Sequence, residues 1–147
     1  MKAKELLEKL YAIGAVIRDS HIIYTSGRHG SAYVNKDAIY PHTELTRDIC
    51  REIADRISDW QMEIVLAPAL GGIILSQWVA FHLSRKKKKE ILAIYAEKDE
   101  TGETFVVRRG YDKLLNGKKV VVLEDVEQKF SPLAATHQVQ HINSLTQ

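Results

Sequence analysis

The chain has 147 residues, enough for one compact core and few for two, since domains cluster near ~100 to 150 residues. Hydrophobic residues make up 45% and charged ones 27%, which excludes a disordered tail protein or a collagen-like repeat. The 21 Lys and Arg against 19 Asp and Glu leave a net charge of +2, too near balance to signal a nucleic-acid or membrane partner, and the single cysteine, Cys50, excludes a disulfide framework or multi-cysteine zinc site.

Met1 to Lys9 alternates Lys and Glu with Leu and lacks the apolar run of a signal peptide, which together with the lone thiol points to the cytoplasm. Leu6, Leu7, Leu10 and Tyr11 fall on one stripe and predict a helix over 2–13, ended by Gly14. Ala15 to Ile17, His21 to Thr25 and Ser31 to Asn35 read as extended pieces, with a polar tip at Ser26-Gly27-Arg28-His29-Gly30. Leu45, Ile49, Ile53 and Ile57 stand at every fourth position and predict a second helix, capped by Thr43 and holding Cys50 as a small core side chain. From Glu63 the rhythm becomes apolar run, turn, helix. Ile64 to Ala67 predicts a strand, Gly71-Gly72 opens a helix to about Leu83, and Ile91 to Ala96, Thr104 to Val107 and Val120 to Leu123 predict further strands. Ile64 to Phe81 is uncharged, but Pro68, Gly71, Gly72, Ser76 and Gln77 interrupt it as a membrane span. Asp99 to Glu103 suits a mobile loop, and Ser131-Pro132 begins a last helix expected over 132–145. The predicted fold class is α/β, a single domain over 1–147 with a mainly parallel sheet and flanking helices.

Several segments carry chemistry. Val120 to Leu123 ends in Glu124-Asp125, and in a parallel sheet the carboxyl ends of strands are where ligands bind. Two such acids suit the vicinal hydroxyls of a ribose or a magnesium ion held through water, and equally a solvated turn or a helix cap. Leu70 to Ile73 places backbone amides at a strand-to-helix turn, suited to an anion, although glycine there also serves close packing. Ser26, Gly27, Arg28 and Tyr33 combine a hydroxyl, a guanidinium that forks onto phosphate or carboxylate, and a ring for a planar base; the simpler reading is a hairpin tip. Lys98 opens the polar loop and Arg108-Arg109 follow it, cations able to neutralise leaving-group charge or ordinary surface residues. Arg85 to Lys89 is a cationic block at a helix end, better explained by the helix dipole than by nucleic acid. His137 and His141 stand four apart, a spacing that suits a metal, but with no third ligand nearby they read as a solvated helical face.

In this order the segments resemble the orotate phosphoribosyltransferases of the type I phosphoribosyltransferase fold. The likeness rests on Tyr24-Thr25-Ser26-Gly27-Arg28-His29, Val65 to Ile73, Ala96-Glu97-Lys98 with Val107-Arg108-Arg109-Gly110-Tyr111, and Val120 to Val126. It implies an amino-terminal hood hairpin and transfer of phosphoribosyl from phosphoribosyl pyrophosphate to orotate, giving orotidine monophosphate and pyrophosphate with Mg2+ on the pyrophosphate. It further implies Leu70, Gly71 and Gly72 beside pyrophosphate, Lys98 on departing charge, Glu124 and Asp125 at the ribose, and Ser26, Gly27, Arg28 and Tyr33 on the base side. Lys98 and Asp125 are thereby the expected catalytic residues. A homodimer is implied as well, in which Lys98 acts in its own site or in its partner's. The chain departs from the pattern at Thr25, where many relatives have lysine, and at Leu70-Gly71, where they have Tyr-Lys. Glu127-Gln128-Lys129-Phe130-Ser131 also replaces a Thr-Thr-Gly-Gly-Ser type loop. Residues 127–147 are expected as a divergent tail, with the family's last strands missing and an exposed sheet edge left where those strands would pair. The alternative function is a non-catalytic nucleotide-binding or protein-interaction module that keeps the fold.

Overall fold

A computed structural model describes residues 3–23, 29–124 and 139–143. The chain forms two compact units, Met1–Asp48 and Ile49–Gln147.

In the first unit, α1 (Ala3–Ala12) ends as its sequence predicts. Gly14 takes φ +69°, the Ala15 N–H donates to the Leu10 carbonyl at 2.9 Å, and the Gly14 N–H donates to the Tyr11 carbonyl at 3.0 Å. That pair of bonds satisfies carbonyls the last turn would otherwise leave open. Strands β1 (Val16–Ile23) and β2 (His29–Val34) form an antiparallel ribbon whose register shifts between Arg18 and Ile22. The two extended pieces predicted before Ser26 are therefore one strand with a bulge. A short 3-10 turn, Lys36–Ala38, follows, with the Asn35 side chain accepting from the Asp37 N–H at 3.1 Å. Helix α2 (Thr43–Arg56) begins with Thr43 inside its first turn; the Thr46 N–H donates to the His42 carbonyl, and the buried Thr46 hydroxyl to the Ile39 carbonyl at 3.1 Å.

The second unit is a five-stranded sheet. Its strands are β3 (Ile64–Pro68), β4 (Leu92–Lys98), β5 (Phe105–Val106), β6 (Val120–Glu124) and β7 (Val139–Asn143), in the order β5-β4-β3-β6-β7. Strands β4, β3, β6 and β7 are parallel, and β5 pairs antiparallel with β4. Continuous Val, Ile and Leu runs in β3 and β6 suit strands covered on both faces; Ile64, Val65, Leu66, Val120, Val121, Val122 and Leu123 are all buried. Helix α3 (Gly71–Lys87) continues a turn beyond the expected Leu83 before Lys88, at φ +51°, ends it. The basic block is structural there. Lys87 Nζ donates to the Ser58 and Trp60 carbonyls at 2.6 and 3.0 Å, and Lys86 pairs with Asp55 at 2.7 Å. A one-turn helix, α4 (Asp112–Leu115), carries Leu115 into the core cluster of Leu66, Ile94, Val107 and Val122.

Two expectations are corrected. Residues 139–143 are not helical but form β7, because the alternation Val139-Gln140-His141-Ile142-Asn143 suits a strand as well as a helix. Consequently the edge of β6 is not open, since Val120 to Glu124 pair with Val139 to Asn143; residues 132–138 lie outside the described residues.

Candidate functional site

Strand order places the site. From β3 the chain crosses through α3 to β4 on one side, and later reaches β6 on the other, so neighbouring connections diverge between β3 and β6. A crevice at the carboxyl ends of such strands is the usual ligand position in parallel sheets.

Register sets what meets there. Leu66 is level with Val122, and two residues beyond each the strands end, β3 at Pro68 and β6 at Glu124. Pro68 is level with Ala96, which puts Lys98 two residues further along β4. The turn after β3 is fixed by the Ala69 N–H donating to the Ala96 carbonyl at 2.8 Å, and the Ala69–Leu70 peptide is cis. Leu70 then caps α3 with its side chain 84% exposed and no side-chain cap bond. The start of α3 thus has no side-chain cap, and helix starts are favourable to anions. Gly72 serves packing instead, since a Cβ there would lie 2.7 Å from the Ala67 Cβ. It lets α3 approach β3, the second of the two roles its sequence position suggests. Glu124 is 5% exposed at the end of β6.

The β4–β5 hairpin forms an open basin of about 470 Å³ lined by Glu97, Lys98, Asp99, Glu100, Arg108 and Arg109. Its turn is closed by Asp99. The Thr101 and Thr104 hydroxyls each donate to that carboxylate at 2.7 Å, and these bonds hold its pKa down at about 2. Arg109, at φ +63°, forks onto Glu97 with Nε–Oε2 at 3.2 Å and Nη2–Oε1 at 2.8 Å, and lies over the Tyr95 ring. Hydrogen bonds from Arg109 hold the Glu97 carboxyl below its ordinary range, with the charges of Arg109 and Arg108 adding to the effect. This clamp is not apparent from the sequence. Its signal is the β4–β5 pairing, Glu97 with Val106, which returns the chain past Glu97 a few residues before Arg109.

Leu70, Gly71, Gly72 and Glu124 thus gather at one sheet edge, with exposed Lys98 on the adjoining strand. Tyr33 is on β2 in the other unit, 41% exposed. Ser26, Gly27, Arg28 and Asp125 lie outside the described residues, and so does His137. No group of three or more His, Cys, Asp or Glu is placed to hold a metal among the described residues. None of the described helices is long and apolar enough to cross a membrane.

A central α/β sheet with flanking helices and this strand-to-helix turn is the type I phosphoribosyltransferase fold. It is shared by the orotate phosphoribosyltransferase of Mycobacterium tuberculosis, with TM-score 0.58 and 21% identity over 82% of this chain and 64% of that one. The adenine phosphoribosyltransferase of Thermoanaerobacter pseudethanolicus also shares it, with TM-score 0.54 and 14% identity over 81% of this chain and 69% of that one. Fold alone therefore does not select the base. By sequence, the chain is 30% identical over 125 residues to the orotate phosphoribosyltransferase of Caldanaerobacter subterraneus subsp. tengcongensis, covering 85% of this chain and 59% of that one. No protein-family model matches the chain. Relatives by sequence and by structure point consistently to the orotate phosphoribosyltransferase family, and the chain spans about 60% of the length of the curated relatives it matches.

Proposed function

We propose that the chain binds phosphoribosyl pyrophosphate at the carboxyl edge of its parallel sheet and transfers the phosphoribosyl group to orotate, a step of pyrimidine nucleotide synthesis. The observation that supports this reading is the closeness of the α3 start to the end of β6, since a Cβ at Gly72 would lie 3.5 Å from the carbonyl oxygen of Leu123, the residue before Glu124. Leu70, Gly71 and Gly72 approach pyrophosphate at the start of α3, and Glu124 with Asp125 takes the ribose hydroxyls. Lys98 answers charge on the departing pyrophosphate, and Ser26, Gly27, Arg28 and Tyr33 serve the base side.

Displacement at the ribose carbon passes through an oxocarbenium-like state, so the residues act by positioning and by charge. Magnesium fits this donor set only as an ion carried on substrate phosphates with water and one or two carboxylates, because the described residues build no cage for it. When bound it supplies electrostatic stabilisation of the leaving group. The reading includes a cytoplasmic homodimer.

A second reading is a non-catalytic nucleotide-binding module of the same fold. It is favoured by Glu127-Gln128-Lys129-Phe130-Ser131, which carries an acid and lacks glycine where the resemblance expects an amide cradle for the ribose phosphate. Calorimetry with phosphoribosyl pyrophosphate and magnesium, followed by orotidine monophosphate formation, separates the two. Saturable binding with turnover that falls ~10² to 10³ in Lys98→Ala supports the transferase. Binding without turnover supports the module, and absence of binding overturns both.

A further inference from the structure

The hairpin of the first unit holds two histidines that no part of the transferase reading uses. Strand β1 carries His21 and strand β2 carries His29, both exposed. In the ribbon's register His29 is paired with Ile23, so His21 is its diagonal neighbour two residues away. Diagonal neighbours on one face are within reach for long side chains, and the register shift just before Ile22 re-aims this part of β1. The result is direct contact between rings. His21 Nε2 and His29 Nδ1 are hydrogen-bonded, with ring centroids 4.7 Å apart and planes at 69°.

Two imidazole nitrogens that share one proton are also placed to share one cation. Metal–imidazole bonds are about 2.0 to 2.1 Å long, so two nitrogens on one metal sit about 3 Å apart, close to hydrogen-bond separation. Replacing the shared proton with a metal ion needs only a small opening of two exposed side chains. A shift of the shared proton to the other nitrogen of its own ring frees both facing nitrogens and keeps both rings neutral, the form in which imidazole ligates. We propose that His21 and His29 form a two-point chelate for a first-row transition-metal ion, Cu(II) most tightly and Zn(II) less so, which ties β1 to β2. Imidazole donors suit these ions, and the order Cu(II) over Zn(II) is the general one for nitrogen sites. Water fills the remaining positions of such an exposed site.

The test uses the full chain in chelator-free buffer, titrated with copper(II) chloride and then zinc(II) chloride by calorimetry. Wild type is expected to take up one Cu(II) per chain at this site, and His21→Ala and His29→Ala should each weaken that binding about tenfold or more by leaving a single imidazole. The double variant of His137→Ala and His141→Ala serves as the control and should keep the site. His21→Gln and His29→Gln repeat the measurement with polar side chains, should an alanine variant lose its circular dichroism spectrum. Electron paramagnetic resonance of the copper form should show two equivalent-class nitrogen donors in wild type and one in either single variant. Unchanged affinity in the His21 and His29 variants, or binding lost only in the His137 and His141 control, overturns the proposal.

Discussion

The β1–β2 ribbon and the β3–β6 pair both carry β-branched and aliphatic residues, interleaved with polar ones in the ribbon and continuous in the sheet, and they spend those side chains differently. Ile17, Ile23, Tyr33 and Val34 in the ribbon are 40 to 66% exposed, and α1 contains no buried residue. Ile64, Val65, Val121 and Leu123 in the sheet are at most 1% exposed. A two-stranded ribbon is marginal on its own, whereas parallel strands under α3 form a packed interior. Apolar composition alone therefore says little about where stability resides. Burial decides it.

The largest expected contrast follows directly. Leu123→Ala should lower unfolding free energy by ~2 to 5 kcal/mol, through lost transfer energy and the cavity left behind, while Ile23→Ala should stay within ~0.5 kcal/mol. Urea unfolding of both variants measures the difference. Equal losses would show that the ribbon's apolar residues are buried in solution and would break the comparison.

Glycine sharpens the same contrast at a smaller scale. Gly72 lacks room for a side chain, so Gly72→Ala should cost ~1 to 3 kcal/mol by overpacking against Ala67. At Gly14, φ is +69° with nothing within 4 Å of a Cβ, so Gly14→Ala should cost ~1 to 2 kcal/mol by backbone conformation alone. Asparagine separates the causes. Because Asn tolerates the left-handed region, Gly14→Asn should recover part of the loss, and Gly72→Asn should recover none.

Cys50 reports on opening of the packed region. Burial pushes its thiol pKa up to about 12, so the folded protein should resist iodoacetamide at pH 8 and label at the rate of unfolding. Fast native labelling would show that α2 opens locally.

What is legible in the sequence follows the same division. Period and turn chemistry locate α1, α2, β3, α3, β4 and β6 within a few residues, because each has a continuous apolar run or stripe bounded by glycine or polar turns. The bulge in β1 is not legible, since Arg18-Asp19-Ser20 reads as a break when only local polarity is considered. Nor is β7, where a five-residue alternating segment is ambiguous and pairing with β6 decides. At the candidate site, Gly71-Gly72 and Glu124 are legible as residues at a strand end. The packing role of Gly72 and the Arg109–Glu97 clamp depend on approach distances and strand pairing, which no spacing rule encodes.

The smallest expected effect lies in the β4–β5 turn, the solvent-exposed counterpart of the buried strands. Asp99 accepts the Thr101 and Thr104 hydroxyls, and its pKa falls from 3.8 to about 2 through those bonds. A carboxylate depressed on folding contributes stability that is fully present above its unfolded value and is lost as pH falls through the folded one. The window for Asp99 is therefore pH 3.8 down to about 2. Thr101→Val and Thr104→Val keep side-chain shape but remove the donors, so each should move the Asp99 midpoint back toward 3.8, and together they should restore most of it. Carboxyl carbon shifts followed by NMR against pH read this directly. A wild-type midpoint near 3.8 would mean the turn opens in solution, and the basin beside Lys98 would then lack the fixed wall that Asp99 supplies.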